Sequence, residues 1–567
     1  MKFPIQSLLI EAVISIVGCT SESGKKQPQI ASSQAVPQPL VKPVATSLMR
    51  PRAKMAGTAM LSTAVSAVTG RQGSVSASPV FTPALEASLP LYSANAEKYL
   101  NYPDNPVKSV IREPISTFSV DVDTAAYSNI RRMLDREGRM PPSDAIRVEE
   151  LINYFDYDYQ IPEALDTPFS LVTEIAPAPW NDHRYLLQIG LKGYEPIPEK
   201  RPNANLVFLV DVSGSMQSAD KLPLLKRSLS LLVNRMTEQD QIALVVYAGA
   251  AGLVLDSTSV QEKYKILDAI EGLESGGSTN GGAGIQLAYD IAAQNYIESG
   301  INRVIIASDG DMNVGLTDHG ELIELVERKR QSGIALTTLG FGAGNYNYAL
   351  MEQLADVGNG NAAYIDLISE AQKVLVNEMN STLLTIAKDV KIQIEFNPNQ
   401  ILEYRLIGYE NRMLNQEDFK NDKVDAGDIG AGHTVTAFYE ITPAGSDYGL
   451  LPQSRYEAKP QSRNSYQNEI AFIRLRFKQP DGKASREIIH PVTVKEMKPE
   501  LSMATDDFRF ASAVAGFGQL LKNGKHMGDW NLEQAIELAR NARGEDSHGY
   551  RSGFIRLAEL ANSIGTL

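Results

Sequence analysis

Between residues 204 and 380, strand-like apolar runs alternate with helical patterns, and this alternation restricts the fold more than any other feature of the chain. Runs at Leu206–Asp211, Gln241–Tyr247, Arg303–Ser308 and Ile334–Phe341 read as strands. Near Lys221–Met236, Ala283–Ile297, Gly320–Gln331 and Tyr348–Val357 the apolar spacing is helical. Such alternation predicts a doubly wound parallel sheet with helices on both faces. The first run, Leu206-Val-Phe-Leu-Val-Asp211, is apolar without a break until its last residue, as a strand buried on both faces must be. It ends in a carboxylate, followed by Ser213 and Ser215 in a glycine-containing turn. Open α/β sheets place their ligands at the carboxyl ends of strands. Carboxylate and hydroxyl oxygens gathered there suit a hard divalent cation such as Mg2+.

The flanking regions read differently. Phe169 to Ile175 and Tyr185 to Leu191 look like two strands. Alternating stretches at Val390–Phe396, Thr434–Ile441 and Ile470–Phe477 give an antiparallel pattern suited to a sandwich. Two strands alone are marginal in water, so 166–200 is expected to pair with the sandwich at 383–500, with the α/β domain at 201–382 inserted between them. Residues 96–165 form a small α+β domain in this reading, with Asp123 capping a helix from Thr124 to Glu137. From 501 to 567 the chain is helical, and Phe508, Ala511, Val514 and Phe517 share one face.

Residues 20–95 are rich in Ser, Pro, Ala, Gln and Thr and lack an apolar period, so they are expected to be a disordered linker. Ahead of them, Lys2, an apolar stretch from Phe3 to Val17 and the sequence Ile16-Val17-Gly18-Cys19 form a secretory signal pattern over residues 1–19. The placement of Cys19, the one cysteine of the chain, resembles a bacterial lipobox, in which that cysteine is lipidated. The expected location is therefore the cell envelope, lipid-anchored, at the outer membrane in a two-membrane bacterium. A net charge of -14 argues against nucleic acid as a partner, since phosphate binding needs clustered Lys and Arg.

Three segments converge on the end of the first strand. Asp211, Ser213 and Ser215 come first. Thr279 lies in Gly276-Gly-Ser-Thr-Asn-Gly-Gly282, and Asp309 ends Ile305-Ile-Ala-Ser-Asp309-Gly. Together they resemble the metal-ion-dependent adhesion site of von Willebrand factor type A (VWA) domains. The resemblance implies direct hydroxyl ligands from Ser213, Ser215 and Thr279, and aspartates at 211 and 309 acting largely through water. Ser278 could replace Thr279, and Asp311 adds a carboxylate of unassigned role.

Further likeness extends over residues 96 to 567. Phe118-Ser-Val-Asp-Val-Asp-Thr-Ala-Ala-Tyr127, Arg147-Val-Glu-Glu-Leu-Ile-Asn-Tyr-Phe-Asp-Tyr157 and the tail from Asn541 to Arg551 resemble the bacterial YfbK type of VWA lipoprotein. The expected function is non-enzymatic. A bound Mg2+, or another divalent cation such as Mn2+ or Ca2+, would be completed by an acidic residue of a protein ligand, while the N-terminal lipid holds the membrane. A metal-dependent hydrolase and a structural scaffold with an idle metal site are the alternatives. The chain shows no H-E-x-x-H, G-x-S-x-G or Walker loop. Gly340-Phe-Gly342-Ala-Gly344 reads as a plain turn at a strand exit.

Overall fold

The computed structural model describes residues 97–120, 123–163, 166–196, 201–277, 281–310, 319–452, 466–480, 482 and 484–565. Cys19, the linker, Asp121, Thr279, Ser278 and Asp311 lie outside the described residues. The chain opens with two short strands, β1 (Lys108–Ser109) and β2 (Ile115–Ser119). Helices at Ala125–Arg131, continued by a wider turn at Arg132–Arg136, and at Val148–Asn153 follow. A long hairpin comes next, β3 (Phe169–Ala178) and β4 (Asn181–Gly193), before the α/β domain begins.

That domain is a six-stranded sheet of β5 (Ala204–Asp211), β6 (Gln241–Tyr247), β7 (Ala251–Ser259), β8 (Ile301–Ser308), β9 (Ala335–Phe341) and β10 (Ala362–Ile365). Its order is β10-β9-β8-β5-β6-β7. Helices Leu222–Arg235, Gly281–Gln294, His319–Arg330 and Tyr348–Val357 connect or flank the strands. Alternate residues of β5 feed opposite cores, as the strand period of two requires. Leu206, Phe208 and Val210 pack with Leu225, Leu229 and Leu232 on one face. Val207 and Leu209 pack with Ile285, Ala288 and Tyr289 on the other. The sheet is mixed and mostly parallel, because β7 runs antiparallel to β6 at the edge. The sequence reading did not find β7. Its Leu253 and Val254 are exposed, and only Leu255 and Thr258 are buried, so no regular buried face imposes an alternating pattern on it.

Beyond the domain come β11 (Thr385–Phe396), β12 (Ile401–Ile407), β13 (Gly427–Gly430), β14 (Thr434–Pro443), β15 (Glu469–Lys478) and β16 (Ser485–Thr493). One antiparallel sheet has the order β1-β12-β14-β4-β3, so residues on both sides of the α/β domain share it. The second has the order β13-β11-β15-β16, with β2 also paired to β11. Phe118, Leu187, Ile189, Ile392, Ile394, Tyr439 and Ile473 fill the space between the two sheets.

Both ends of the α/β domain meet at one loop. Gly432 N–H donates to the Tyr194 carbonyl at 3.1 Å, and Ala431 N–H to the Leu384 carbonyl at 2.8 Å. The α+β stretch at 97–163 is built into its surroundings: its strands extend the two sandwich sheets. Its helices join Asp506–Lys522, Leu532–Asn541 and Tyr550–Gly565 in a layer over the first sheet, where Tyr127, Phe155, Phe508, Phe517, Phe554 and Phe438 share one core. Among the described residues no helix is long and apolar enough to cross a membrane.

Asp123 does not cap the helix. Thr124 stands at the cap position. Asp123 instead accepts the Ala362 N–H at 2.8 Å and pairs with Arg412 at 3.2 Å. A sheet edge and a cation outbid the helix end for the carboxylate.

Candidate metal centre

β5 lies between β6 and β8, both parallel to it, and the chain leaves it in opposite directions to reach them. A crevice therefore opens at its carboxyl end. Asp211 is the last residue of β5 and is fully buried. The parallel register sets Tyr247 of β6 beside it and brings Ser308, at the end of β8, within reach. Asp211 Oδ2 accepts from the Ser308 hydroxyl at 2.9 Å and from the Tyr247 hydroxyl at 3.3 Å. Oδ1 accepts the Ser213 N–H at 2.9 Å. A short turn at Gly214–Gln217 then folds the chain back, and the Ser213 and Ser215 hydroxyl oxygens lie 3.0 Å apart.

Backbone bonds stitch the second loop to the first. Gly276 N–H donates to the Val212 carbonyl at 2.7 Å, and Gly214 N–H to the Gly277 carbonyl at 3.1 Å. Gly277 carries φ +87, which an L side chain rarely adopts, so a glycine suits this approach. Residues 275–277 thus lead directly to the segment containing Thr279. The third loop places Asp309 beyond β8. Its Oδ2 accepts from Lys221 Nζ at 2.8 Å and from Asn345 Nδ2 at 3.1 Å. Four of the five expected site residues therefore lie in the structure around one point: Asp211, Ser213, Ser215 and Asp309.

The two carboxylates differ in environment. Burial pushes Asp211 up to about 6, against the hydrogen bonds from Ser213 and Ser308, and Asp309 adds repulsion. Asp309 is also buried, yet the Lys221 ammonium and hydrogen bonds from Lys221, Ser215 and Asn345 hold it below the usual carboxylate range. Among the described residues no cationic side chain is paired with Asp211. A buried carboxylate in that condition, beside two converging hydroxyls, is chemically suited to a hard divalent ion. Asp211, Ser213, Ser215 and Asp309 would hold it. No group of three or more His, Cys, Asp or Glu able to hold a metal occurs among the described residues. This oxygen set relies on hydroxyls instead.

Sequence reasoning missed four contributors: Tyr247, Ser308, Lys221 and Asn345. The glycines at 340–344 carried a signal for one of them. Gly342 has φ +76, and a Cβ there would overlap the Lys221 stem, so this strand exit does more than turn.

A strand-ended Asp-x-Ser-x-Ser loop, a glycine loop stitched to it and an aspartate on the neighbouring strand, all on a mostly parallel sheet, define a VWA domain. The family profile "von Willebrand factor type A domain" matches residues 205–378, and "Uncharacterized protein YfbK, C-terminal" matches 381–564. The Uncharacterized protein YfbK of Escherichia coli (strain K12) is 45% identical over 501 residues, covering 87% of this chain and 86% of that one. The chain belongs to the YfbK family of VWA proteins. Inter-alpha-trypsin inhibitor heavy chain H3 of Homo sapiens is 26% identical over 258 residues, which is 42% of this chain and 28% of that one. The solved structure "von Willebrand factor type A from Catenulispora acidiphila" aligns with 16% identity and a TM-score of 0.39, over 70% of this chain and 91% of that one. That superposition is too loose to carry an argument.

Proposed function

We propose that this chain is an envelope-anchored lipoprotein whose VWA domain captures protein partners through a divalent ion. The ion would sit among Asp211, Ser213, Ser215, Thr279 and Asp309. One observation carries the reading: a buried carboxylate, Asp211, paired with no cationic side chain among the described residues, stands beside two serine hydroxyls whose oxygens lie 3.0 Å apart. A bound Mg2+ supplies an open coordination position that a partner carboxylate can fill. The chain's own residues do the rest. Ser308 and Tyr247 fix the direction of Asp211, and Lys221 and Asn345 fix that of Asp309. With both carboxylates held in this way, the site offers a fixed set of oxygens for an ion, an arrangement that suits capture of a partner carboxylate.

Calorimetry of Mg2+ with the full chain tests the metal reading. Asp211→Ala is expected to lose at least about tenfold in affinity, because it removes a charge opposite the ion. Equal binding by the two proteins would reduce the loop to an ordinary turn. Anchoring at Cys19 is tested by fractionation: Cys19→Ser should leave the membrane fraction and escape lipid-dependent processing. A variant that stayed membrane-bound and was processed normally would end that part of the proposal.

A further inference from the structure

Lys221 is buried, and its ammonium meets two side-chain acceptors. Nζ donates to Asp309 Oδ2 at 2.8 Å and to Asn345 Oδ1 at 3.0 Å. Asn345 Nδ2 donates back to the same Asp309 oxygen at 3.1 Å, closing a three-membered ring of contacts. The ring is supported from outside. Gly342 has positive φ and no Cβ where the lysine stem passes. Gly344 N–H donates to Glu97 Oε1 at 3.0 Å, and Lys98 pairs with Asn347, so the loop carrying Asn345 is pinned on its far side. Burying a lysine costs free energy unless its charge is used. Here it is spent on a carboxylate of the candidate metal centre.

The charge count gives the consequence. Among the described side chains at the centre, Asp211 and Asp309 contribute two negative charges and Lys221 one positive charge. A divalent ion would bring that sum to plus one. With a neutral residue at 221 the loaded centre would sum to zero.

We propose that Lys221 is the specificity-determining residue of this centre: its charge keeps the ion-loaded site cationic, so that an aspartate or glutamate of the partner is taken in preference to a neutral oxygen. The inference rests on the metal reading given above. It makes Lys221 a weakener of the ion's own binding and a strengthener of the anion's. Ion and anion affinities must then be coupled reciprocally. Coordination at the ion's open position couples the two already, and a lysine that served only to hold the loop would add nothing to that coupling.

The test uses the full chain, Mg2+ alone as the first probe and acetate as the second. Lys221→Gln retains a donor to Asp309 without the charge, and Lys221→Met is made in parallel in case one variant does not fold. Wild type should bind Mg2+ more tightly in acetate than in chloride at equal ionic strength. Lys221→Gln should bind Mg2+ in chloride about tenfold more tightly than wild type, since one repelling charge is gone. Its gain from acetate should shrink. A variant with the wild-type affinity and acetate gain, or one that binds Mg2+ more weakly, would show Lys221 to be a loop support and overturn the proposal. A folded wild type that binds no Mg2+ would overturn both this inference and the metal reading, whereas failure in the variants alone overturns only this one.

Discussion

Asp211 and Asp309 are the same residue type at the carboxyl ends of adjacent strands, and their surroundings drive them apart. Desolvation dominates at Asp211, which is pushed from 3.8 to about 6. At Asp309 the Lys221 ammonium overcomes burial. The raised value at Asp211 has a definite sign. Between pH 3.8 and about 6 the folded chain holds a proton that the unfolded chain has released. Without a divalent ion, stability therefore falls as pH rises through that window, by up to about 3 kcal/mol. Ion binding runs the other way, because protons compete for the same oxygens. Mg2+ affinity should drop as pH is lowered from 7.5 to 5, and calorimetry at both values checks it. An affinity independent of pH would mean that the ion does not meet Asp211.

At the scale of elements, side chains outside the α/β domain finish its open ends. Asp123 receives the Ala362 N–H of the edge strand β10 and pairs with Arg412 of the sandwich. Glu150 accepts the Ala126 N–H at 2.8 Å and the Tyr348 hydroxyl, tying the starts of two helices together. Arg131 pairs with Asp366 at 2.5 Å and Glu370 at 2.7 Å, just past β10. Removing Asp123 would take the carboxylate from the Ala362 N–H and one of two carboxylates from Arg412, which also pairs with Asp356 at 2.9 Å. Asp123→Ala should cost roughly 1–3 kcal/mol in urea unfolding, with faster amide exchange at 362–365. Unchanged exchange there would mean that β10 is held by β9 alone.

For the whole molecule, the loop at 430–433 is the joint where the α/β domain enters and leaves the sandwich. His433 sits in it, with its Nδ1 buried and without a hydrogen-bond partner among the described residues. Burial lowers its pKa from 6.5 to about 4, despite the nearby Asp156 carboxylate. The unfolded chain thus binds a proton between those values that the folded chain does not. Its contribution is present above pH 6.5 and is lost as pH falls toward 4, by up to about 3 kcal/mol. Urea unfolding of wild type and His433→Gln from pH 7.5 to 4.5 should show a shallower acid limb in the variant. Parallel limbs would assign acid loss to other groups.

Much of this molecule can be read from the chain because short-range chemistry writes it there. A strand buried on both faces must be apolar throughout, so Leu206 to Val210 announced a central strand, and the break at Asp211 marked its carboxyl end. Hydroxyls and a carboxylate at alternate positions picked out oxygens that the fold does bring close together, and strand alternation marked the sandwich. Other features depend on residues far apart in sequence. β7 buries only Leu255 and Thr258, too few to mark it by alternation. Asp123 has a helix beside it in sequence, but Ala362 and Arg412 beside it in space. Lys221 looks like an ordinary helix-start lysine until Gly342 and Asn345 are brought around it. Local pattern fixes what each element is and which of its faces is apolar. Only tertiary structure brings one ammonium to one carboxylate across 88 residues, because that placement follows from the register of β5, β8 and β9 and not from any spacing along the chain.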